Sequence, residues 1–180
     1  WDISGKAAGV PIRHLFGSSA ERFPYYLTCV WPGNPDQSHL TIDEQAAQIA
    51  KYYALGHTRI KFRGWRPDPM DDVRVVEKVR SAVGGRDKIE LMIDRTAHLP
   101  GWIWTYEQAK SVALGLQELD ATWLEEPFAR DDLDSYRRLA DEVSIPITGG
   151  EFGTEISIFR DYITRGAVDI IQPDTFISGG

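Results

Sequence analysis

The stretch Lys88-Ile-Glu-Leu-Met-Ile-Asp-Arg95 decides the fold. It is a short, mostly apolar run that ends on charged residues, and it lies between two segments with the periodicity of amphipathic helices. Runs of this length and composition are typical of strands buried on both faces of a parallel sheet. The stretch therefore predicts one strand of a parallel α/β fold.

Similar runs occur on either side of this stretch. The predicted strands are Tyr25–Trp31, Thr58–Gly64, Lys88–Arg95, Ala121–Pro127, Ile145–Gly150 and Val168–Asp174. They start at residues 25, 58, 88, 121, 145 and 168, so the intervals of 23 to 33 residues fit one strand, one helix and their loops. Helix starts are predicted in two intervals, because Thr41 with Glu44 and Thr105 with Gln108 fit the capping box.

Successive βα units form either an open, doubly wound sheet or a closed barrel. Secondary-structure propensity leaves both alternatives open. The phosphate-binding motifs of the open folds are missing, since Gly149-Gly150 is not followed by a third spaced glycine and no Walker-type Gly-Lys-Ser/Thr occurs. Nucleotide binding therefore has little support.

The composition excludes several classes of protein. Of 180 residues, 42% are hydrophobic, and 20 Lys and Arg against 27 Asp and Glu give a net charge of -7. This charge argues against a general nucleic-acid binder. No apolar run approaches the roughly 20 residues of a membrane helix. We therefore expect a cytoplasmic protein that binds neither nucleic acid nor a membrane. The single Cys29 lies in an apolar run and predicts packing rather than chemistry. The chain begins at Trp1 without Met and stops directly after a predicted strand, so we expect missing sequence at both ends.

Four consecutive predicted strands end in, or are followed directly by, a carboxylate. These residues are Asp94, Glu125, Glu151 and Asp174. The carboxyl ends of parallel strands share one rim, which holds the active site in α/β barrels. Converging carboxylates repel one another unless a cation neutralises them, and an all-oxygen set selects a hard ion such as Mg²⁺. The alternative is that each acid is a solvated strand-end residue or a helix cap.

Two cations lie two residues apart on the second predicted strand, so Lys61 and Arg63 point to the same face. A Lys near a divalent metal and another cation is expected to have a lowered pKa, which suits a general base. Arg63 stays protonated and is expected to donate to a carboxylate. The alternative is that both side chains point outward or pair structurally with Asp94.

These residues resemble a known family. The motifs are Lys61-Phe-Arg63, Asp94, Trp123-Leu-Glu-Glu-Pro127, Gly149-Gly-Glu151, Gln172-Pro-Asp174 and the opening segment from Trp1 to Pro11. In this order they are similar to the enolase superfamily, and closest to its mandelate racemase-like branch. The resemblance implies a modified TIM barrel of the (β/α)7β type with six of its strands in this chain. Residues 1–20 would be the connector from a capping domain, and residues 21–180 a partial catalytic barrel.

The resemblance also implies a site. The ligands of one Mg²⁺ would be Asp94, Glu125 and Glu151, and the catalytic residues Lys61, Arg63 and Asp174. Glu126 would be structural, and Asp174 would orient a histidine that this sequence does not contain. The family reaction starts by removing the proton α to a carboxylate, which gives a metal-stabilised enediolate. The partner would be a small carboxylate, a sugar acid, and the protein a homo-oligomer.

Two departures from the family pattern bear on the reaction. Arg63 replaces the usual second Lys, and Arg is a poor base, so a two-base racemase is disfavoured. Thr96 stands where the family often has an amide residue. Dehydration of an aldonic or aldaric acid is preferred, with either the absent histidine or Lys61 as the base and with Arg63 holding the substrate. A racemase or epimerase of a 2-hydroxy acid, and a non-catalytic fragment or paralogue, are the alternatives.

The histidines and one long loop complete the candidates. His14, His39 and His57 are interpreted as surface residues, and for His98 a plain loop position is preferred to a substrate contact. The stretch Thr96–Trp104 is interpreted as a lid or binding loop, with its tryptophans packing within it.

Overall fold

Strands and helices alternate along the chain in a computed structural model that describes residues 1–31, 40–96 and 103–179. The strands are β1 Leu27–Cys29, β2 Arg59–Arg63, β3 Glu90–Asp94, β4 Trp123–Glu125, β5 Ile147–Gly149 and β6 Ile170–Ile171. The helices are α1 Asp2–Ala8, α2 Ile12–Leu15, α3 Ile42–Ala54, α4 Pro69–Val83, α5 Tyr106–Glu118, α6 Leu133–Glu142 and α7 Ile156–Arg165, with a 3₁₀ turn at Arg86–Lys88. Each strand is shorter than predicted, because only the middle of each apolar run pairs with a neighbour and the flanking residues continue into loops.

The order of the strands identifies the architecture. The sheet runs β1-β2-β3-β4-β5-β6, and every neighbouring pair is parallel. A doubly wound sheet reverses its strand order at a switch point, whereas a barrel adds its strands in sequence. The chain therefore forms a TIM-barrel arc, and within the described residues this arc is not closed.

Alternate residues of each strand serve different purposes. On β2, Ile60 and Phe62 are fully buried in the apolar core, which the strands share with the helices. Lys61 and Arg63 point to the opposite face, as the period of two requires. The packing that fixes the fold thus also fixes the direction of the charged side chains.

Both predicted capping boxes are confirmed. The Thr41 hydroxyl accepts from the amide of Glu44, whose carboxylate accepts from the Thr41 amide at 2.8 Å. Thr105 and Gln108 repeat the arrangement at the start of α5, with a return bond of 2.9 Å. The reciprocal bonds satisfy amides that a helix start leaves unpaired, so they set where α3 and α5 begin.

None of the helices in the three described ranges is long and apolar enough to cross a membrane.

A buried charged group lies beneath the ends of β2 and β3. Asp72 on α4 is fully buried, and its Oδ1 is 3.6 Å from Nε of Arg66. Arg95 donates to the carbonyl of Gly64 at 2.9 Å. A Cβ on Gly64 would lie 3.0 Å from both Asp72 Oδ2 and Ile93 Cγ2, so a larger residue there would have to displace one of these side chains. These contacts fix the two loops that leave the rim.

The buried carboxyl of Asp72 gives a test of this packing. Burial raises its pKa to about 7, although Arg95 and Arg66 oppose the shift. An acid with a raised folded-state pKa binds its proton in the folded protein after the unfolded chain has lost it, so stability falls as pH rises from about 4 to 7. We expect Asp72→Asn to remove this contribution, up to about 1.4 kcal/mol per pH unit. Urea unfolding of both proteins across this range measures it, and parallel stability curves would contradict it.

Candidate active site

Three charged residues lie side by side at the carboxyl ends of neighbouring strands. Arg63 on β2 is in register with Asp94 on β3, and Asp94 is in register with Glu125 on β4. The sequence placed these residues at strand ends, and the parallel pairing brings them to one rim. Both carboxylates are almost fully buried, so their charges require compensation.

Lys61 supplies part of that compensation from one position further down β2. Its ammonium donates to Oε1 and Oε2 of Glu125 at 2.7 and 2.9 Å, and lies 3.7 Å from Oδ2 of Asp94. It also lies 5.3 Å from the centre of the Tyr26 ring. The predicted inward direction of Lys61 is confirmed, and this one cation contacts both acids.

The neighbouring carboxylates determine the direction in which the pKa of Lys61 is shifted. Burial favours the neutral amine, but the charges of Glu125 and Asp94 and the hydrogen bond to Glu125 outweigh it and raise the pKa of Lys61. Burial and the charge of Asp94 raise the pKa of Glu125, and Lys61 opposes this. The expected lowering applies to a Lys61 beside a bound divalent metal and stays a prediction, whereas in the chain by itself two carboxylates face the ammonium and keep it charged.

Arg63 is held by polar and aromatic neighbours. Its Nη2 lies 3.3 Å from Asp94 Oδ2, as expected for a cation that donates to a carboxylate. Its Nη1 donates to the hydroxyl of Thr96, which in turn donates to Asp94 Oδ1. The guanidinium carbon lies 5.8 and 5.9 Å from the ring centres of Trp31 and Trp65. Sequence reasoning noted Thr96 only as a departure from the family pattern and missed this bridge.

A cavity of about 160 Å³ opens beside the ion pair. Its walls are Tyr26, Lys61, Glu125, Glu151, Gln172, Pro173 and Asp174. Four of the six predicted site residues therefore line one small space, and the other two, Arg63 and Asp94, adjoin it through Lys61 and Glu125. Three of its walls are carboxylates and one is an ammonium, so an anionic substrate would need a bound cation at this cavity.

Asp174 has a second function at this cavity. Its Oδ1 accepts from the amides of Phe176 and Ile177 at 2.7 and 3.0 Å, so it caps the turn that follows β6. The alternative in which a strand-end acid caps the next segment therefore applies to Asp174, which nonetheless faces the cavity. Its orienting role toward a histidine remains a prediction.

Neutral side chains support Glu125 from two further directions. The Trp123 indole donates to Oε2 at 3.2 Å, and the Gln172 amide donates to the same oxygen at 3.1 Å. Thr148 donates to the other end of the Gln172 amide at 2.6 Å. Sequence reasoning gave Trp123 and Gln172 no role beyond their motifs. The signal was their spacing of two from a rim position, which puts them on the inward face.

The donors suit a hard cation in type but are not gathered around one point. Among the described residues, no three His, Cys, Asp or Glu side chains are placed to share a metal ion. Asp94 Oδ2 is buried and forms ion pairs with Lys61 and Arg63 but accepts no hydrogen bond within the described chain, and Glu125 adjoins Asp94 in register. Oxygen donors of this kind fit Mg²⁺. Asp94 and Glu125 are the residues that would hold such an ion, with Glu151 from the cavity wall.

The backbone is strained at the rim. Val30, Thr96 and Glu126 adopt positive φ angles of 57°, 47° and 46°. Each follows the end of a strand within one or two residues. Such angles are uncommon for residues other than Gly, Asn and Asp, and they concentrate at functional sites.

Glu126 is buried, as expected for a structural residue. Its side chain is 1% exposed, and its nearest cation is Arg130, 3.7 Å away. Burial raises the pKa of Glu126 to about 7, and Arg130 opposes this rise.

The remaining candidates lie away from the site or outside the described residues. His14 is exposed, and half-buried His57 forms a 3.3 Å hydrogen bond with the Tyr25 hydroxyl. Burial raises the pKa of Cys29 to about 11, consistent with packing. His39, His98 and most of the Thr96–Trp104 loop lie outside the described residues.

Comparison with known families settles the affiliation of the chain. A family model described as "Enolase C-terminal domain-like" matches residues 44–180. The chain belongs to this family. The predicted membership of the enolase superfamily and the predicted barrel are thereby confirmed.

Relatives within the enolase superfamily are acid-sugar enzymes by name. Over its whole length the chain is 29% identical to an arabinonate dehydratase of Saccharolobus solfataricus and 31% identical to a 3,6-anhydro-alpha-L-galactonate cycloisomerase of Streptomyces coelicolor, covering 45% and 46% of them. The crystal structure of L-talarate/galactarate dehydratase from Salmonella typhimurium matches with a TM-score of 0.82 at 27% identity, and all of this chain covers 42% of it. A mutant of an L-talarate/galactarate dehydratase was crystallised with Mg and L-glucarate. The chain spans less than half the length of these relatives.

The Thr96 bridge predicts the effect of removing one hydroxyl. Thr96→Val leaves Asp94 Oδ1 and one N–H of Arg63 without their partner, and we expect a loss of about 1–3 kcal/mol in unfolding free energy. Thr96→Ser keeps the hydroxyl and should stay within about 0.5 kcal/mol of the wild type. Val retains the β-branched shape, so the two variants separate the hydrogen bonds from packing. Chemical denaturation measures both, and equal stabilities would contradict the bridge.

Proposed function

We propose that the protein containing this chain is a Mg²⁺-dependent acid-sugar dehydratase. The observation that carries the proposal is the buried Lys61, which lines the same 160 Å³ cavity as Glu125, Glu151 and Asp174. The dehydratase names of relatives in the same family support it. The alternative of a non-catalytic product has less support, because a buried network of paired charges costs stability that a purely structural core does not need.

Lys61 is the proposed general base. Its neutral amine would take the proton from the carbon next to the substrate carboxylate, and the electron pair of that C–H bond would form an enediolate. To do so, Lys61 must give up its ion pair with Glu125, since the carboxylates hold it in the charged form. The C–O bond of the neighbouring carbon then breaks, and its hydroxyl leaves as water with the proton that Lys61 took up, which yields an enol that becomes a 2-keto-3-deoxy acid.

Arg63 and the three acids have different proposed roles. Arg63 would hold the substrate with the guanidinium N–H groups that are not used by Asp94 and Thr96. Asp94, Glu125 and Glu151 would hold the Mg²⁺. When bound there, the ion would supply fixed positive charge for the dianionic enediolate.

An isomerase is the second candidate, because one relative at 31% identity is named as a cycloisomerase. An isomerase would also begin by removing the proton α to the carboxylate, as the dehydratase does, but its product would differ. Exchange of the α-hydrogen with deuterated solvent detects proton removal in either case, and a 2-keto-3-deoxy product identifies the dehydratase.

The base is tested by Lys61→Arg, which keeps the positive charge but cannot deprotonate near neutral pH. We expect α-hydrogen exchange and dehydration of the best sugar acid in a panel to fall by about 10²–10⁴-fold. Lys110→Arg is the matched control, because Lys110 also contacts a glutamate at 2.7 Å but lies on the outer helices. NMR in deuterated water measures the exchange. Exchange at the wild-type rate in Lys61→Arg would overturn the assignment.

The metal site is tested by Glu151→Gln, which removes one anionic ligand without changing the shape of the side chain. We expect calorimetry to detect no Mg²⁺ binding by this variant. Glu155→Gln is the control, since Glu155 is exposed at the start of α7 and does not line the cavity. Unchanged Mg²⁺ affinity in Glu151→Gln would overturn the ligand assignment.

A further inference from the structure

Arg130 contacts residues of the two loops that follow β4 and β5, directly after Glu125 and Glu151. Its Nε is 3.7 Å from Oε1 of Glu126, and its guanidinium carbon is 3.7 Å from the ring centre of Phe152. Glu126 directly follows Glu125, and Phe152 directly follows Glu151. Arg130 therefore contacts the next residue after each proposed ligand, one on the β4 loop and one on the β5 loop.

The contact with Glu126 constrains the β4 loop. Glu126 is almost fully buried, has a positive φ angle, and accepts no hydrogen bond within the described residues. A buried carboxylate of this kind is costly without a nearby cation. The Arg130 guanidinium is its nearest cation, so the position of this loop depends on Arg130.

The backbone of the β5 loop is also restrained by contacts within the loop and with α7. The Gly153 amide donates to the carbonyl of Gly150 at 3.0 Å, and a Cβ on Gly153 would come within 2.7 Å of the Phe159 ring. The Tyr162 hydroxyl on α7 donates to the Arg130 carbonyl at 2.8 Å, which fixes the backbone from which the guanidinium extends.

We propose that Arg130 is a positioning residue that fixes the carboxylate of Glu151 relative to that of Glu125 by joining Glu126 to Phe152. The inference rests on the proposed magnesium site, whose ligands it would align. A planar guanidinium can pair with a carboxylate and stack on an aromatic ring at the same time, whereas a lysine ammonium is a point charge. Residues that orient metal ligands through a neighbour typically change metal affinity by 10–100-fold when they are replaced.

Arg138 provides a matched control. It pairs with a glutamate four residues away, Glu142, at 3.1 Å, and its guanidinium carbon lies 3.8 Å from the Tyr106 ring centre. Arg138 thus combines an ion pair and a ring contact in the same way but lies on the outer face of α6. A general effect of losing such an arginine appears in both positions, and a positioning effect appears only at Arg130.

The experiment compares Arg130→Met, Arg130→Lys and Arg138→Met in the complete protein that contains this chain. Calorimetry measures Mg²⁺ affinity. Mass spectrometry measures the rate of backbone amide hydrogen exchange in residues 149–155 of the metal-free protein. For Arg130→Met we expect Mg²⁺ affinity at least about tenfold weaker and faster exchange in this segment. Arg130→Lys should lie between Arg130→Met and the wild type, and it provides the readout if Arg130→Met does not fold. Arg138→Met should match the wild type in both measurements.

The outcomes separate this inference from the proposed function. If the wild type binds Mg²⁺ and the Arg130 variants bind it equally well, the inference is overturned and the metal site stands. If the Arg138 variant weakens Mg²⁺ binding as much as the Arg130 variants, the inference is also overturned. If the wild type binds no Mg²⁺, the proposed metal site is wrong. Exchange of residues 149–155 then decides whether Arg130 joins the two loops, and unchanged exchange would overturn the inference.

Discussion

The buried ion pair between Lys61 and Glu125 is the interaction on which the candidate site depends. The strand register places Asp94 beside Glu125. Two neighbouring buried carboxylates disfavour each other's ionised form. Lys61 contacts both, so one cation from the neighbouring strand makes this arrangement possible. Removing such a cation without replacing its charge costs about 3–5 kcal/mol in comparable buried pairs. The same pair keeps the proposed base protonated until another positive charge takes over its carboxylate contacts.

The fold and the chemistry come from alternate residues of the same strands. The outward residues of β2 pack in the apolar core, and the inward residues carry charge. Parallel pairing then aligns the inward residues of neighbouring strands without a dedicated binding loop. A shift of register by one residue would turn Lys61 and Arg63 toward the apolar core. Stability of the core therefore enforces the geometry of the site.

The regular spacing of the apolar runs predicted the parallel strands and the rim, whereas the barrel order of the strands came from the family resemblance. Four consecutive runs end in, or are followed directly by, a carboxylate, and parallel pairing brings Asp94 beside Glu125, while Glu125 and Glu151 line one cavity. The sequence did not predict contacts that depend on three-dimensional proximity. The hydrogen bonds of Thr96 and the stacking of Arg130 on Phe152 depend on the paths of the loops and follow no periodic pattern. The pKa shift of Lys61 in the chain by itself likewise depends on distances to two carboxylates.

The positive φ angles at Val30, Thr96 and Glu126 affect how this protein can be engineered. Each such residue costs of order 1–3 kcal/mol relative to a relaxed backbone. A design procedure that considers only backbone conformation would favour glycine or asparagine at these three positions. Glycine at Thr96 would also delete the hydroxyl that holds Arg63, and glycine at Glu126 would remove the partner of Arg130. Relief of backbone strain at Thr96 and Glu126 would therefore remove contacts at the rim, so designs for heat resistance should leave these positions unchanged.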